Sequence, residues 1–384
     1  MAVDTIVFNQ RFSAVKDRRT RRDGEWIDVD HSSLTGNGLL HQPFSHQSHY
    51  AVGGWEGIRA KPSLPALREY KLELAILNGD KNIARFLRTI TRIGLQSPQK
   101  LCEVPQEIAP FLKPHDQSES LFLPKTFDAA YIAETIEKTI RVNHDQGLIS
   151  PTTGELYIRP IIYRAGNSEG NLGVFSGKHD IVFEVMLIEW GAYLPGNGLA
   201  LVVYPHHLEN ELRRFKVAGN YSLGSVAKDY ANSFASNGTQ LAFHDAIITD
   251  SNRQIEEATG ANFFAFENEH TIVTPPLEQY ILPGITRETG ITIAKNLGFG
   301  VREENIPIKR LIDMKAAYLT GTATGLCPIR FIYDPTTGAA YHFDHRYGPF
   351  IDLKREFDNL IDGEEVSGKN RDLQAMVRDM IVRL

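Results

Sequence analysis

Apolar and polar positions along the chain change rhythm several times, and each rhythm predicts an element. Ala129, Ile132, Ala133, Ile136 and Ile140 fall on one helical face with Glu134, Glu137 and Lys138 between them, and Gly147 supplies a stop. Residues 156–163 and 181–188 are rich in β-branched and aromatic side chains with glycines close by, which predicts two sheet strands. Between Pro105 and Pro124, prolines mix with polar residues, so this stretch is expected to be a surface connection with little regular structure. Residues 191–198 read Gly-Ala-Tyr-Leu-Pro-Gly-Asn-Gly and concentrate turn conformations, which predicts a linker between a first domain over 1–190 and a second over 199–384. The second part alternates again: a helix over about 222–234, strands around 242–248 and 262–266, and a helix opened by Thr286. No internal repeat or low-complexity tract interrupts the mixture, so an α/β or α+β architecture follows.

Length and composition support this division. A chain of 384 residues exceeds what one hydrophobic core usually serves, and 42% hydrophobic with 23% charged residues is the balance of a globular protein. The net charge of -6 gathers no polyanion, so nucleic acid is not an expected partner. The one basic cluster, Lys16, Arg18, Arg19, Arg21 and Arg22, lacks interleaved aromatics and reads as a solvated arm. Only Cys102 and Cys327 are present, which suggests neither a disulfide framework nor a cysteine-based metal site, and no metal is expected. No apolar run has the length of a signal peptide at the start or of a membrane span elsewhere, so the expected setting is cytoplasmic, away from membranes.

Four segments carry candidate chemistry. Residues 214–221, Arg-Phe-Lys-Val-Ala-Gly-Asn-Tyr, place Lys216 behind an aromatic residue and before small ones. Residues 255–266 put Glu256 and Glu257 just before small residues and an apolar strand, where one carboxylate can project into a cleft. Residues 274–286 end in Gly284-Ile285-Thr286 at a helix start, where free amides and the positive dipole end suit a phosphate. Residues 321–325, Gly-Thr-Ala-Thr-Gly, let backbone amides approach an anion. Alone, each has a plainer reading as a loop charge, an exposed acidic turn, an ordinary helix cap or a small-residue turn.

In this order, the four segments resemble the fold-type IV pyridoxal-phosphate enzymes, specifically the branched-chain amino-acid aminotransferases. The first half agrees. Residues 49–59, His-Tyr-Ala-Val-Gly-Gly-Trp-Glu-Gly-Ile-Arg, are similar to that family's His-Tyr-Gly…Phe-Glu-Gly-Ile-Arg segment. Residues 82–89 resemble its phosphate-arginine helix, and Tyr157-Ile-Arg-Pro160 matches as well. The resemblance runs from about His49 to Gly348-Pro349. It implies two domains, a smaller N-terminal α/β domain and a larger C-terminal domain with a mixed or barrel-like sheet flanked by helices.

The resemblance also implies roles. Lys216 would hold pyridoxal 5'-phosphate as a Schiff base and shuttle the proton between Cα and C4′, which requires an amine neutralised by burial. Glu257, five residues before Asn262, would pair with the ring nitrogen, while strand alternation should turn Glu256 away. Arg85 would grip two phosphate oxygens, helped by the amides of Gly284, Ile285 and Thr286 and by the Thr322 hydroxyl, and Tyr221 would bond the ring oxygen. Thr322 and Ala323 would hold the substrate α-carboxylate, with Tyr50, Trp55 and Tyr157 lining an apolar pocket. Arg159 would bind the distal carboxylate of glutamate, against the plainer reading of an arginine paired to an acid. The implied reaction moves the amino group of an L-amino acid, branched-chain or otherwise apolar, to 2-oxoglutarate by ping-pong chemistry, in a homodimer.

Departures bear on that reading. Trp55 stands where most members carry Phe and fills more of the pocket, and residues 51–54, Ala-Val-Gly-Gly, differ from the usual Gly-Thr-Ser-Val. The first cysteine of a Cys-x-x-Cys pair seen in animal relatives is absent before Cys327, which leaves Cys327 as a buried apolar residue. The runner-up function keeps the cofactor but changes the reaction, to a D-amino-acid or (R)-amine aminotransferase or an aminodeoxychorismate-lyase-like enzyme. Those relatives generally lack the Lys-x-x-Gly-Asn-Tyr and Tyr-x-Arg-Pro pairs. A silent homologue acting as a scaffold is the third.

Overall fold

Glu155–Arg164 alternates buried and half-buried residues, and this period of two makes it the central strand of an antiparallel sheet. In a computed structural model, residues 6–13, 25–27, 50–62, 73–96, 104–112, 123, 126–147, 149, 155–164, 181–190, 198–207 and 210–384 are described. The first part comprises β1 (Ile6–Ser13), β2 (Glu25–Ile27), β3 (Gly53–Trp55), β4 (Ile58–Pro62), β5 (Glu73–Leu77), helices α1 (Gly79–Arg92) and α2 (Ala129–Asp145), then β6 (Glu155–Arg164) and β7 (Ile181–Trp190). Ile83, Phe86 and Ile90 of α1 and Ile132, Ile136 and Ile140 of α2 bury their apolar faces against Ile58, Ile76, Ile158 and Phe183 of the sheet. The predicted amphipathic helix is thus α2, opened by Asp128, whose side chain accepts from the Tyr131 amide, and followed by Gly147 at φ 70°.

The second part begins with β8 (Leu199–Val203), a 3₁₀ turn over Glu211–Arg214, and α3 (Ala218–Ala231). A short hairpin of β9 (Phe234–Ser236) and β10 (Thr239–Leu241) leads to β11 (Asp245–Thr249), β12 (Ile255–Ala258), β13 (Asn262–Asn268) and β14 (Thr271–Thr274). Helix α4 (Ile285–Asn296), β15 (Gly300–Glu303), β16 (Ala316–Gly321), β17 (Gly325–Asp334) and β18 (Ala339–His342) follow, then α5 (Gly348–Asp362), α6 (Arg371–Val377) and β19 (Met380–Arg383). Strands β12, β11, β8, β17, β16 and β13 pair in that order, and β12 pairs with β13 at Glu257 and Asn262, which closes a six-stranded barrel. The barrel is mixed, because β8 runs parallel to both β11 and β17. Leu201, Ile247, Phe263, Leu319 and Ile329 fill one face of it, and α4 and α5 cover another through Ile293, Phe350, Leu353 and Phe357. The architecture is the two-domain α/β arrangement expected.

Three expectations change. Helix α3 starts at Ala218, not near 222, because the small residues before Tyr221 carry no apolar period yet tolerate a helical first turn. The chain end does not belong to the second part: β19 pairs with the open edge of β5 and buries Val382 in the first core, so the boundary at 384 is corrected to the end of α6. The stretch from Pro105 contains a 3₁₀ turn over Ala109–Phe111. Residues 191–197 of the expected linker, the basic cluster, His49 and Cys102 lie outside the described residues. Among the described residues, no helix is long and apolar enough to cross a membrane, and no cluster of His, Cys, Asp and Glu is placed to hold a metal.

Candidate active site

Lys216 sits in the short turn between the 3₁₀ turn over Glu211–Arg214 and α3, where the first domain grips its main chain. Its amide donates to Thr89 Oγ1 at 3.3 Å, and its carbonyl accepts from the Trp55 amide at 3.2 Å. Its amine Nζ donates to Tyr221 Oη at 2.7 Å and stands 4.0 Å from the centre of the Trp55 ring. The residue is half-buried because a cleft runs along its stem, but the amine lies deep in that cleft. Burial and the nearby Arg85 charge bring its pKa down to about 7, so much of it is neutral at physiological pH.

The cleft, about 740 Å³ and partly open to solvent, is also lined by Arg85, Tyr221, Glu257, Asn262, Gly284, Ile285, Thr286 and Thr322. Glu257 Oε2 accepts from Asn262 Nδ2 at 3.1 Å and from the Leu282 amide at 3.2 Å, and Oε1 accepts from Arg213 Nη2 at 3.2 Å. Burial pushes this carboxyl up to about 7, against the pull of Arg213. Burial likewise raises Tyr221, which keeps its phenol protonated beside the amine. Helix α4 opens at Gly284 with no side-chain cap, leaving its first amides facing the cleft. A Cβ at Gly284 would lie 2.0 Å from Asn262 Oδ1, so only glycine admits this approach of helix to strand. The hydroxyl of Thr320 lines the same cleft, buried and without a hydrogen-bond partner among the described residues.

Arg85 reaches the cleft from α1, but its fork is turned elsewhere. Nε and Nη2 each donate at 2.7 Å to the two oxygens of Glu56, which is 0% exposed against 4% for Arg85. Nη1 donates to Pro283 O at 3.0 Å. The expected two-oxygen grip on phosphate is therefore corrected: one N–H of Nη1 is left for an anion, because the buried Glu56 charge claims the fork.

The expected substrate residues separate into groups. Trp55, Tyr157 and Arg159 form one stack: the Arg159 guanidinium lies 4.2 Å from the Trp55 ring centre and 5.1 Å from that of Tyr157, and Nη2 donates to Tyr157 Oη at 3.0 Å. Trp55 also packs on Tyr221, ring centres 4.5 Å apart. Among the described residues Arg159 has no carboxylate partner, and its buried Nε has no hydrogen-bond partner there either. Of the expected substrate residues only Thr322 lines the cleft itself: the Trp55, Tyr157 and Arg159 stack flanks it beside the Lys216 amine, while Tyr50, 38% exposed, and Ala323 lie off it. Glu256, expected to turn away, is buried on Arg213 Nη1 at 2.5 Å, because Arg213 straddles the strand and meets both acids. Cys327 is buried in β17, and burial pushes its thiol up to about 11.

Sequence reading missed Glu56, Thr89 and Arg213. Glu56 lies inside the Trp-Glu-Gly-Ile-Arg run and Thr89 ends the 82–89 segment, while Arg213 stands just before the 214–221 segment; none of the three carries a signal of its own until the fold brings it to the cleft.

Comparison with known proteins places this geometry. The family model described as amino-transferase class IV matches residues 75–332. A probable branched-chain-amino-acid aminotransferase of Synechocystis sp. is 31% identical over 219 residues, covering 56% of this chain and 66% of that relative, just under two thirds of its length. One from Staphylococcus aureus is 28% identical over 300 residues, 75% of this chain and 70% of the relative. The branched-chain aminotransferase structure from Thermoproteus uzoniensis with norvaline superposes with a TM-score of 0.66 at 22% identity, covering 94% of this chain and 96% of that one. The Escherichia coli branched-chain amino acid aminotransferase gives 0.66 at 21%, covering 94% and 97%. At those identities the structural likeness is one of fold.

Proposed function

The chain belongs to the amino-transferase class IV family, and from that premise we propose that it is a pyridoxal 5'-phosphate-dependent aminotransferase moving the amino group of an L-amino acid with a branched or other apolar side chain to 2-oxoglutarate. The observation that carries this reading is a lysine amine held near neutrality, hydrogen-bonded to Tyr221, in one cleft with a buried carboxylate and an uncapped helix N-terminus.

The residues present fit such a group. The Thr320 hydroxyl, buried in the cleft wall with no partner among the described residues, is what a cleft built around a polar ligand presents. Ile285 and Thr286 amides, the Thr322 hydroxyl and the remaining Arg85 N–H would hold the phosphate at the positive end of α4. Glu257 would face the ring nitrogen, and Tyr221 the ring oxygen. When bound, the coenzyme supplies the aldehyde that accepts the amino group and the ring that takes up the electron pair left at Cα.

The chain's own residues then do three things. Lys216, neutral above about pH 7, receives a proton at Nζ and returns it, and the Tyr221 hydroxyl keeps that nitrogen aligned. Trp55 covers the amine from one side, which excludes water and bounds the room for an apolar side chain. Arg159, a cation stacked on Trp55 and Tyr157 with no acid partner among the described residues, would meet the second carboxylate of 2-oxoglutarate. A homodimer belongs to the same reading and rests on the family resemblance, and a cytoplasmic setting rests on the cysteine count and the apolar runs of the sequence.

The test is direct. Purified protein with pyridoxal 5'-phosphate, an L-amino donor and 2-oxoglutarate should form glutamate, with the D-donor inert, and borohydride should leave a coenzyme adduct on the Lys216 peptide. A preference for D-donors or (R)-amines moves the protein to the runner-up reaction. A protein that takes no coenzyme onto Lys216 overturns the reading.

A further inference from the structure

Behind Glu257 lies a second arrangement that the reaction above does not use. Arg213 is 6% exposed and donates from Nη1 to Glu256 at 2.5 Å and from Nη2 to Glu257 at 3.2 Å. The turn that delivers it is pinned at both ends: the Asn210 side chain accepts from the Leu212 amide at 2.9 Å, and Asn220 Nδ2 donates to the Leu212 and Phe215 carbonyls at 2.5 and 3.1 Å. Glu257 is thus held at Oε2 by neutral donors and at Oε1 by a cation. The groups facing it are Glu256 on its own strand, Arg213 from the turn, Asn262 from β13, the Leu282 amide from the loop before α4, and Lys216 and Tyr221 across the cleft.

From the reading just given, we infer that Arg213, braced from behind by Glu256, is a positioning residue that fixes the Glu257 carboxylate and sets the charge it presents to the ring nitrogen of a bound pyridoxal group. The charge count gives the sign. Two carboxylates and one guanidinium leave one net negative charge, which a protonated ring nitrogen neutralises. Glu256→Gln makes the trio neutral, so a protonated ring would add an uncompensated buried positive charge and becomes disfavoured. Arg213→Gln leaves two negative charges, so a protonated ring becomes favoured. The two members of one ion pair therefore act in opposite directions, which a merely structural role does not do.

The experiment uses protein loaded with ring-¹⁵N-labelled pyridoxal 5'-phosphate and follows the ring-nitrogen shift against pH, with borohydride mapping of Lys216 as an independent check of loading. We expect the protonation midpoint to fall by about one unit in Glu256→Gln and to rise by about one unit in Arg213→Gln, tenfold each way in the protonated-to-neutral ratio. Arg213→Lys and the charge-balanced pair Arg213→Gln with Glu256→Gln should return near the parent midpoint. If Arg213→Gln fails to fold, the fall in Glu256→Gln carries the test alone. Midpoints that stay put, or move the same way in both single variants while Lys216 remains loaded, overturn the inference. A parent protein that loads nothing onto Lys216 instead removes the reading beneath it, and the inference falls with it.

Discussion

Replacing Glu56 by Gln tests how the cleft is built from behind. Glu56 and Arg85 are buried at 0% and 4% exposure and meet through two charged hydrogen bonds of 2.7 Å. Burial opposes the charge on Arg85, but Glu56 more than offsets it and holds the guanidinium firmly protonated. A guanidinium cannot shed its proton in a protein, so the Gln variant must keep a buried charge with one weakened acceptor. Breaking a buried pair by removing one partner costs about 3–5 kcal/mol, and the amide oxygen of Gln retains part of the interaction, so we expect about 3 kcal/mol. The assay is urea denaturation of parent and variant, comparing midpoints at unchanged slope. Inorganic phosphate should recover more stability in Glu56→Gln than in the parent, because the freed fork can then meet an anion. Arg85→Met should behave differently, since a stranded carboxylate can be neutralised by a proton and its penalty shrinks as pH falls. A Glu56→Gln loss below about 1 kcal/mol, or penalties of the two variants that follow pH alike, would refute the argument.

Modification of Lys216 by an amine reagent, followed by peptide mapping, should be half-maximal near pH 7, because the lowered pKa leaves the neutral, reactive form dominant above it; a midpoint near that of free lysine, about 10.4, would contradict the burial argument. Trp55→Phe should raise kcat/KM for bulky apolar donors relative to small ones, by about tenfold at most, since the smaller ring returns space next to the amine; an unchanged ratio would remove Trp55 from the pocket wall. Asp379→Ala should cost about 1 kcal/mol and speed hydrogen exchange at the Gly79 and Asp80 amides, to which its carboxylate is bonded at 2.8 and 3.1 Å in place of a cap from Asn78; unchanged exchange would show that α1 needs no such cap.

Much of the architecture was legible because burial writes itself into periodicity. Helix α2 and strands β6 and β7 were found from apolar spacing within two residues of their ends. Strand β19 was not, since a four-residue strand has too few positions to show a period and its meaning depends on the open edge of β5, far away in sequence. A barrel-like sheet came only from the family resemblance, and its closure by the pairing of Glu257 with Asn262 came only from the structure. Within the site, the segments around Lys216, Glu257 and residues 284–286 stood out as candidates because glycine-rich turns and acid-before-strand patterns are local, but each alone had a plainer reading and only the family resemblance gave it a role. Glu56 and Arg213 did not stand out, because a buried ion pair and a solvated charge look the same in one dimension; only the fold decides which charges must find partners out of water.

Helix α1 explains why the Lys216 main chain and the Arg85 side chain keep a fixed separation. Arg85 and Thr89 are one turn apart on the same face, about 6 Å along the axis, and Thr89 Oγ1 donates to the Arg85 carbonyl while accepting from the Lys216 amide. The same helix is seated on β3, where a Cβ on Gly54 would lie 2.7 Å from Thr89 Cγ2, so glycine is what permits the contact. Trp55, next along β3, returns a hydrogen bond to the Lys216 carbonyl, and Gly54 bridges to Val217. The reactive segment of the second domain is therefore hydrogen-bonded on both sides of one residue by the first. Asp379 at the chain end seats the start of α1, and Pro283 holds Arg85 from the loop before α4. A shift of α1 along its axis would carry Arg85 and Thr89 together, whereas a shift of either domain alone would part Lys216 from both. Lys216 is aligned, on this geometry, only when the two domains are docked.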